Sequence, residues 1–535
     1  MTETEERQPE PKPKPKDGII FYPLLFGIFP VLSIYSANMS LVPYGMILRP
    51  LAVSLLVSAV LWAAFRLFLW KPGKAAIAST VFVGMFYSFA RMRPFFGTGF
   101  MSITLILSIW ATLTFLAVLI ATIIWKWHKI LNILSASLIA VTCAQIVYGF
   151  ISSAALLSRK STTTDSTVAT KGEPDIIYII LDGYGRSDAL KRALNFSNDF
   201  FIQGLEQRGF YVAKDSHANY CQTELSVGSS LNFDFIPDLL PKVSAAEKNR
   251  APLGVLLDHN AAADYLRKKG YVFAAITTGF PPLQFESADV NMKTRTGLSL
   301  IETALVQMTP LTVDRAALIS MYINRRADIQ NAFQALESVA APSARPRFVM
   351  VHILAPHPPF VFGSNGESLP HKGAFGFWDG SDYIDHVGSP EEYLKGYSGQ
   401  AEYISKRILK ALDSILSESK TKPVILIQGD HGSKLRLDQN SLKFTDINEC
   451  FPNLSAYYVP DSVRKNLYPG VTPVNSFRLL FNGLFGDTMP LKPDRSWYST
   501  FPRPYDFTEV TNQIADHEKM SSVPVPQFPP RPPVE

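Results

Sequence analysis

The first 155 residues hold five long apolar runs, at 18–37, 46–69, 75–90, 101–125 and 130–153. Most approach the ~20 residues a helix needs to cross ~30 Å of hydrocarbon, the third being the shortest. Five such runs in tandem do not suit buried helices of a soluble protein. They predict a five-helix transmembrane domain at 18–157. The first run is followed by no small-residue cleavage site and by four more apolar runs, so it does not read as a signal peptide. Lys12, Lys14 and Lys16 precede it, Arg66, Lys71 and Lys74 separate the second and third runs, and Lys126 and Lys129 separate the fourth and fifth. The opposite side carries Arg49, Arg91, Arg93, Arg159 and Lys160. This bias places the N-terminus in the cytoplasm, and five crossings then put everything after Ser158 outside. Trp70, Trp125 and Trp127 suit interfacial anchors.

Residues 1–17 are charged and proline-rich and read as a disordered tail. Residues 158–173, rich in Ser and Thr, read as a linker to a domain at 174–512, with a proline-rich tail at 513–535. The net charge of +5 on 535 residues is small and dispersed, which argues against a nucleic-acid partner. Three cysteines do not make a disulfide scaffold.

From Pro174 the texture changes. "PDIIYIILDGYG", "RFVMVHILAPHPPF" (347–360) and "PVILIQGDHGS" (423–433) share one design: a continuous β-branched run that ends in acids, histidines and turns. Such runs predict strands buried on both faces, hence parallel. Shorter candidates lie at 209–213, 271–277 and 455–460. Helical patterns separate them, as in 391–416, where Tyr393, Tyr397, Ala401, Ile404 and Ile408 recur at helical spacing. The expected fold of this half is α/β, a mostly parallel central sheet flanked by helices. Ligands of such sheets bind beyond the carboxyl ends of the strands. Asp182, His357, Asp430 and His431 fall there.

Two aspartates and a histidine suit one divalent ion, Mn²⁺ or Zn²⁺, with Mg²⁺ as an option. Asp182 alone reads equally as a helix cap or a ligand. "GDHG", straight off a buried strand, is a poor choice for packing and a good one for ligation. "TELSVGSSLN" (223–232) reads as a helix whose N-terminus attracts phosphate. Taken alone, Thr223 is a cap. Beside two strand-end metal motifs it becomes a candidate nucleophile, its hydroxyl ionised on the metal. Cys221, two positions earlier, is the rival. Cys221 and Cys450 are the only cysteines outside the apolar runs, and a disulfide between them is one option that spacing alone does not establish.

"IIYIILDGYGRSD", "NYCQTELSVGSSLN", "HILAPHPPF", "QGDHGS", "NLSAYYVP", "VNSFRLLFN" and "DRSWYS" together resemble the membrane-anchored sulfatase-like branch of the alkaline phosphatase superfamily, close in plan to lipoteichoic acid synthase and the phosphoglycerol and phosphoethanolamine transferases. The resemblance spans about 174–510. It implies an alkaline-phosphatase-like (sulfatase) domain in which Asp182, Thr223, Asp430 and His431 hold one metal and Thr223 is also the nucleophile. It also implies that His357 faces the transferred phosphoryl group as a hydrogen-bond donor or acid. Sulfatases mature a residue within C-x-P-S-R, and "CQTEL" lacks that Pro and Arg, which disfavours Cys221 as the reactive group. Asp382 and His386 match the D-x-x-x-H spacing of a second metal site but read as chance spacing in a polar loop. His217 is a candidate substrate contact or a plain loop histidine, His352 a packed core histidine, and His517 too close to the tail for a ligand.

The activity expected is transfer of a phosphoglycerol- or phosphoethanolamine-type headgroup from a membrane phospholipid to a glycan or lipid hydroxyl through a phospho-threonine. A membrane-anchored phosphoesterase or sulfatase-like hydrolase is the first rival. A non-catalytic scaffold with a degenerate domain is the second. The resemblance implies a bacterial inner membrane protein with the catalytic domain facing the periplasm.

Overall fold

The computed structural model describes residues 19–39, 42, 44–92, 103–123, 126–156, 173–294, 297–313, 315–370 and 375–528. The expected N-terminal tail, the linker up to 172, Arg93, Trp125, Arg159, Lys160 and the final residues from 529 lie outside them. The chain divides into two compact units. One comprises Met1–Ala37, Ile47–Ile146 and Ala304–Val313, the other Asn38–Met46, Val147–Thr303 and Asp314–Glu535.

The apolar runs form helices α1 (Tyr22–Asn38), α2 (Leu48–Phe68), α3 (Pro72–Met92), α4 (Ile103–Ile123) and α5 (His128–Leu156). Among the described residues, 4 helical stretches are long and apolar enough to cross a membrane: Tyr44–Phe68, Pro72–Met92, Thr104–Ile123 and His128–Ile151. The expected five crossings are thereby corrected to four. The run at 18–37 counts residues that precede the helix, because α1 begins only at Tyr22, where Pro23 suits a first turn. Its 17 residues rise about 25 Å at ~1.5 Å each, short of the ~30 Å core. With four crossings, parity no longer assigns the second half a side, and orientation rests on the Lys and Arg bias. Leu56, Val60, Phe115 and Ile133 are exposed on these helices, as lipid-facing residues are. Trp70 and Trp127 are exposed at helix ends.

The second unit is built on a seven-stranded sheet. Its strands are β1 (Ile176–Leu181), β2 (Tyr211–Val212), β3 (Val272–Thr277), β4 (Val290–Lys293), β5 (Arg347–Ile353), β6 (Val424–Gln428) and β7 (Ser455–Tyr458), in the order β2-β7-β6-β1-β5-β3-β4. The pairs β1–β5, β1–β6, β3–β5 and β3–β4 are parallel. Only the β7 side is antiparallel. This is the mostly parallel α/β sheet expected. The short β4 and a separate hairpin, β8 (Trp497–Thr500) with β9 (Arg503–Glu509), carried no readable signal.

Register aligns the chemistry. Ile180 stands opposite His352 on one side and Gln428 on the other, so the chain segments after β1, β5 and β6 leave the sheet at one edge. The helix Pro390–Glu418 opens with a capping box, Ser389 with Glu392, and buries Tyr393, Tyr397, Ala401, Ile404 and Ile408. The helix Thr223–Asn232 is buried over all its 10 residues. It is tied to the sheet by Tyr178, whose hydroxyl lies 2.8 Å from Ser230 Oγ and donates to Gln428 Oε1 at 2.8 Å.

Candidate active site

Asp182, Asp430 and His431 converge, each buried, with one ligand atom apiece within 4.8 Å of the others. Each atom is aimed by a local bond. Gly183 N–H donates to Asp430 Oδ1 at 2.9 Å, which leaves Oδ2 buried without a partner. Asp182 Oδ2 lies 3.1 Å from His352 Nε2, which leaves Asp182 Oδ1 buried without a partner. His431 Nδ1 donates to the Gly432 carbonyl at 2.8 Å, so its Nε2 carries the bare lone pair. That Nε2 lies 3.1 Å from Asp430 Oδ2 and 3.6 Å from Asp182 Oδ1. Thr223 Oγ1 lies 3.3 Å from the same nitrogen. Two orphaned carboxylate oxygens, a bare imidazole nitrogen and a hydroxyl at one point fit a divalent cation.

Glycines make this convergence possible. Gly183 has φ +74°, where a side chain would strain the turn after β1. A Cβ on Gly429 would stand 2.1 Å from the Tyr184 carbonyl, and one on Gly432 2.1 Å from that of Glu449. The loop carrying Asp430 and His431 can therefore press against its neighbours only with glycine at both ends.

Thr223 is the first residue of its helix, and the capping position belongs to Gln222. The threonine hydroxyl is thus not spent on a cap and points to His431. Glu224, in the same turn, is paired with Arg250 at 3.3 Å. His357 follows β5 and its Nδ1 donates to the Pro358 carbonyl at 2.5 Å. Its Nε2 lies 3.5 Å from Asp379 Oδ2. Asp379 in turn accepts from the Tyr393 hydroxyl at 2.8 Å. Burial opposes ionisation of Asp182, but His357, His352 and His431 outweigh it and hold this carboxyl well below the usual range. For Asp430, burial and the Asp182 charge act upward, while His431 and Lys434 bring the net direction down.

Three residues of the site escaped the sequence reading. His352 is no mere packing residue: fully buried on β5, it holds Asp182. Asp379 is buried in the turn "WDG" (378–380). Lys434 stands three residues after His431. Burial works against its ammonium, yet Asp379, Asp182 and Asp430 outweigh that and raise its pKa above the usual value. For His352 and Lys434 the signal available was a polar residue inside or just beyond a buried apolar run; Asp379, in an irregular segment, offered none.

Other candidates fall elsewhere. His217 Nδ1 lies 2.8 Å from Ser496 Oγ, and its charged neighbours are Asp494, Arg186 and Asp215, none in the metal cluster. Burial brings its pKa down to about 4. His386 bonds to the Asp382 carbonyl in its own helix and stacks on Trp378. His517 pairs with Asp215 at 2.8 Å. Cys221 and Cys450 are free thiols rather than a disulfide, side by side in one buried apolar cluster. Burial pushes the Cys221 thiol up to about 11, so it is poor as a thiolate nucleophile.

The chain matches no family model and no curated protein. The chain is similar to the C-terminal periplasmic domain of EptC from Escherichia coli in complex with zinc, with 10% identity, 67% of this chain and 99% of that one covered, and a TM-score of 0.43. It is similar to the integral membrane lipooligosaccharide phosphoethanolamine transferase A from Neisseria meningitidis, with 10% identity, 86% and 95% covered, and a TM-score of 0.38. It is also similar to an alkaline phosphatase superfamily protein from Vibrio parahaemolyticus, with 12% identity, 67% and 81% covered, and a TM-score of 0.36.

Beside the site, Glu449 is buried among Asp446, Arg436 and Ser433, and Asp446 is itself paired with Arg192. Burial, then the Asp446 charge, pushes the Glu449 carboxyl up to about 7. An acid whose folded pKa exceeds its unfolded value keeps a proton that the unfolded chain has lost. Stability therefore falls as pH rises from about 4.5 to about 7, by at most about 3 kcal/mol. Glu449→Gln is expected to flatten the decline of the unfolding midpoint between pH 5 and 8. Equal slopes in variant and wild type would assign the decline to other groups.

Proposed function

We propose that this chain is a membrane-anchored, metal-dependent phosphotransferase that moves a phosphoryl-alcohol headgroup from a phospholipid to a glycan or lipid hydroxyl. The observation that carries the reading is the convergence of Asp182 Oδ1, Asp430 Oδ2 and His431 Nε2 on the Thr223 hydroxyl at the first turn of a buried helix. A divalent cation held by these four residues would acidify the threonine hydroxyl and offset charge on the phosphoryl oxygens.

Thr223 Oγ1, its proton lost to solvent on ionisation, attacks phosphorus, forming the Oγ1–P bond as the bond from phosphorus to the lipid oxygen breaks. Free N–H groups of the first helical turn face the phosphoryl oxygens. His357, its Nδ1 committed to Pro358 and its Nε2 beside Asp379, gives a proton to the departing diacylglycerol oxygen. The acceptor hydroxyl then yields its proton to His357, bonds to phosphorus, and restores Thr223. Four apolar helices keep the site where its donor lies, which raises effective concentration. The basic residues at the α2–α3 and α4–α5 connections, Arg66, Lys71, Lys74, Lys126 and Lys129, support a catalytic unit on the periplasmic face of an inner membrane.

The test is the mass of the Thr223 peptide after purified, Mn²⁺-loaded protein is mixed with native membrane lipids and quenched in acid. An adduct on Thr223 is expected, and its mass names the headgroup. A bare Thr223 with free diacylglycerol accumulating would favour direct hydrolysis, and no lipid turnover would favour the scaffold.

A further inference from the structure

A cavity of about 290 Å³ opens at the sheet edge formed by β2 and β7, and none of its lining residues belongs to the metal cluster. Its volume matches the lower end of small-molecule sites, roughly 300 Å³ and upward. One wall is a single helical face. Asp199, Ile202, Gln203 and Glu206 of the helix Asp199–Gln207 all line the cavity, at the spacing that puts residues on one side of a helix. Ala213, just beyond β2, and Leu454, just before β7, give it a buried apolar floor. Arg186 lines it as well. It is 5% exposed, and its guanidinium is fixed by two bonds to Asp188, at 2.7 and 2.8 Å, and by the carbonyls of Ser216 and Ala515. His517 adds the C-terminal segment to the rim, held there by Asp215 at 2.8 Å.

The chemistry of the lining selects its occupant. Three acids, Asp188, Asp199 and Glu206, are met by Arg186, Lys214 and His517. Neither sign dominates, so a small ion of either sign gains little. What remains is a dense mix of acceptors and donors over an apolar floor, with the Gln203 amide and the Ser187 hydroxyl able to do both. A sugar ring is complementary to that mix, since each of its hydroxyls donates and accepts and its C–H groups are apolar. An acyl chain would strip water from these polar groups without replacing its hydrogen bonds.

The cavity also shares the site's edge of the sheet. Arg186 lies four residues after Asp182. Leu454 N–H donates to the Tyr184 carbonyl at 3.0 Å, and Ser455 pairs in register with Gln428, two residues before Asp430. We propose that this cavity is a subsite for a neutral sugar ring, and that it anchors the acceptor glycan at a ring other than the one that takes the headgroup. The inference rests on the phosphotransferase reading and names its acceptor as a neutral glycan. No covalent bond forms or breaks in the cavity; it supplies binding energy and lowers the KM for the glycan.

Saturation-transfer NMR on the full-length protein, in a detergent without a sugar headgroup, tests this with methyl glucoside and methyl galactoside, beside the charged sugars glucosamine and glucuronate. The proteins compared are wild type, Gln203→Ala combined with Glu206→Ala, and Gln207→Ala as a control on the same helix outside the cavity. All three positions are exposed, so these changes spare the core. A neutral glycoside is expected to bind wild type and the control alike, and the double variant at least about tenfold more weakly, as loss of two hydrogen-bonding side chains requires. With a glucose oligosaccharide as acceptor, the double variant is expected to show a KM raised by a similar factor while the Thr223 adduct forms at the wild-type rate. Neutral glycosides that fail to bind wild type, that bind the double variant equally well, or that are ignored while a charged sugar binds, would overturn the proposal, and so would an unchanged KM. Glycoside binding with no Thr223 adduct in wild type would instead overturn the phosphotransferase reading, and the acceptor role with it.

Discussion

Thr223→Ala is expected to lower headgroup transfer by about 10⁴-fold or more, the scale seen when a covalent nucleophile is removed. Thr223→Ser, which keeps the hydroxyl, is expected to stay within about a hundredfold of wild type. The comparison is clean because Thr223 does not cap its helix. Gln222 occupies that position, and among the described residues the Thr223 hydroxyl bonds only to His431. Loss of the hydroxyl therefore leaves the helix Thr223–Asn232 intact, and the unfolding midpoint is expected to move little. Transfer assayed with a fluorescent phospholipid donor reads the first quantity, and thermal unfolding reads the second. Alanine activity within tenfold of wild type would remove the covalent route. Cys221 would not inherit the role readily, since its thiol is buried in an apolar cluster.

Asp430→Asn is expected to abolish Mn²⁺ binding and activity while making the metal-free protein more stable. The opposite signs come from one arrangement. Asp182 Oδ1 and Asp430 Oδ2 are buried in one cluster without a hydrogen bond among the described residues, and the two like charges repel each other until a cation joins them. An amide at position 430 removes one of those charges. Its oxygen can still accept from Gly183 N–H, and its NH₂ can donate to the bare His431 Nε2, which lies 3.1 Å from the present Oδ2. Unfolding followed with chelator and with excess Mn²⁺ checks both signs. Wild type should gain about 3 kcal/mol when Mn²⁺ is present at a hundred times its dissociation constant. The variant should start higher and gain nothing. A variant that Mn²⁺ stabilises as much as wild type would mean the metal sits elsewhere.

The site was legible where its residues are local to a strong pattern. Asp182 and the Asp430–His431 pair each follow a continuous apolar strand, and a strand end in a parallel sheet is where ligands bind. The helix Pro390–Glu418 was legible from its stripe of Tyr393, Tyr397, Ala401, Ile404 and Ile408. The count of membrane crossings was less so. Hydropathy alone does not register that Ile19, Ile20 and Phe21 precede the first helical turn. His352 was misjudged because a histidine inside a strand looks the same whether its ring faces methyl groups or a carboxylate. Asp379 and Lys434 gave no periodic signal. They lie in irregular segments, and the tie between them runs through Tyr393 on a third element.

By itself the sequence determined the two-part plan, apolar helices followed by an α/β domain, and which acids and histidines end the buried strands. Those are properties of short stretches, set by side-chain periodicity and backbone preference. Only the tertiary structure decided that Thr223 stands against His431, 208 positions away in the chain, and that His352 orients Asp182. It also decided that Asp379 and the backbone of Lys434 meet at the Tyr393 hydroxyl. These depend on strand order and register, which bring distant segments to one edge of the sheet, and on glycines at 183, 429 and 432 that let backbones approach as no other residue would.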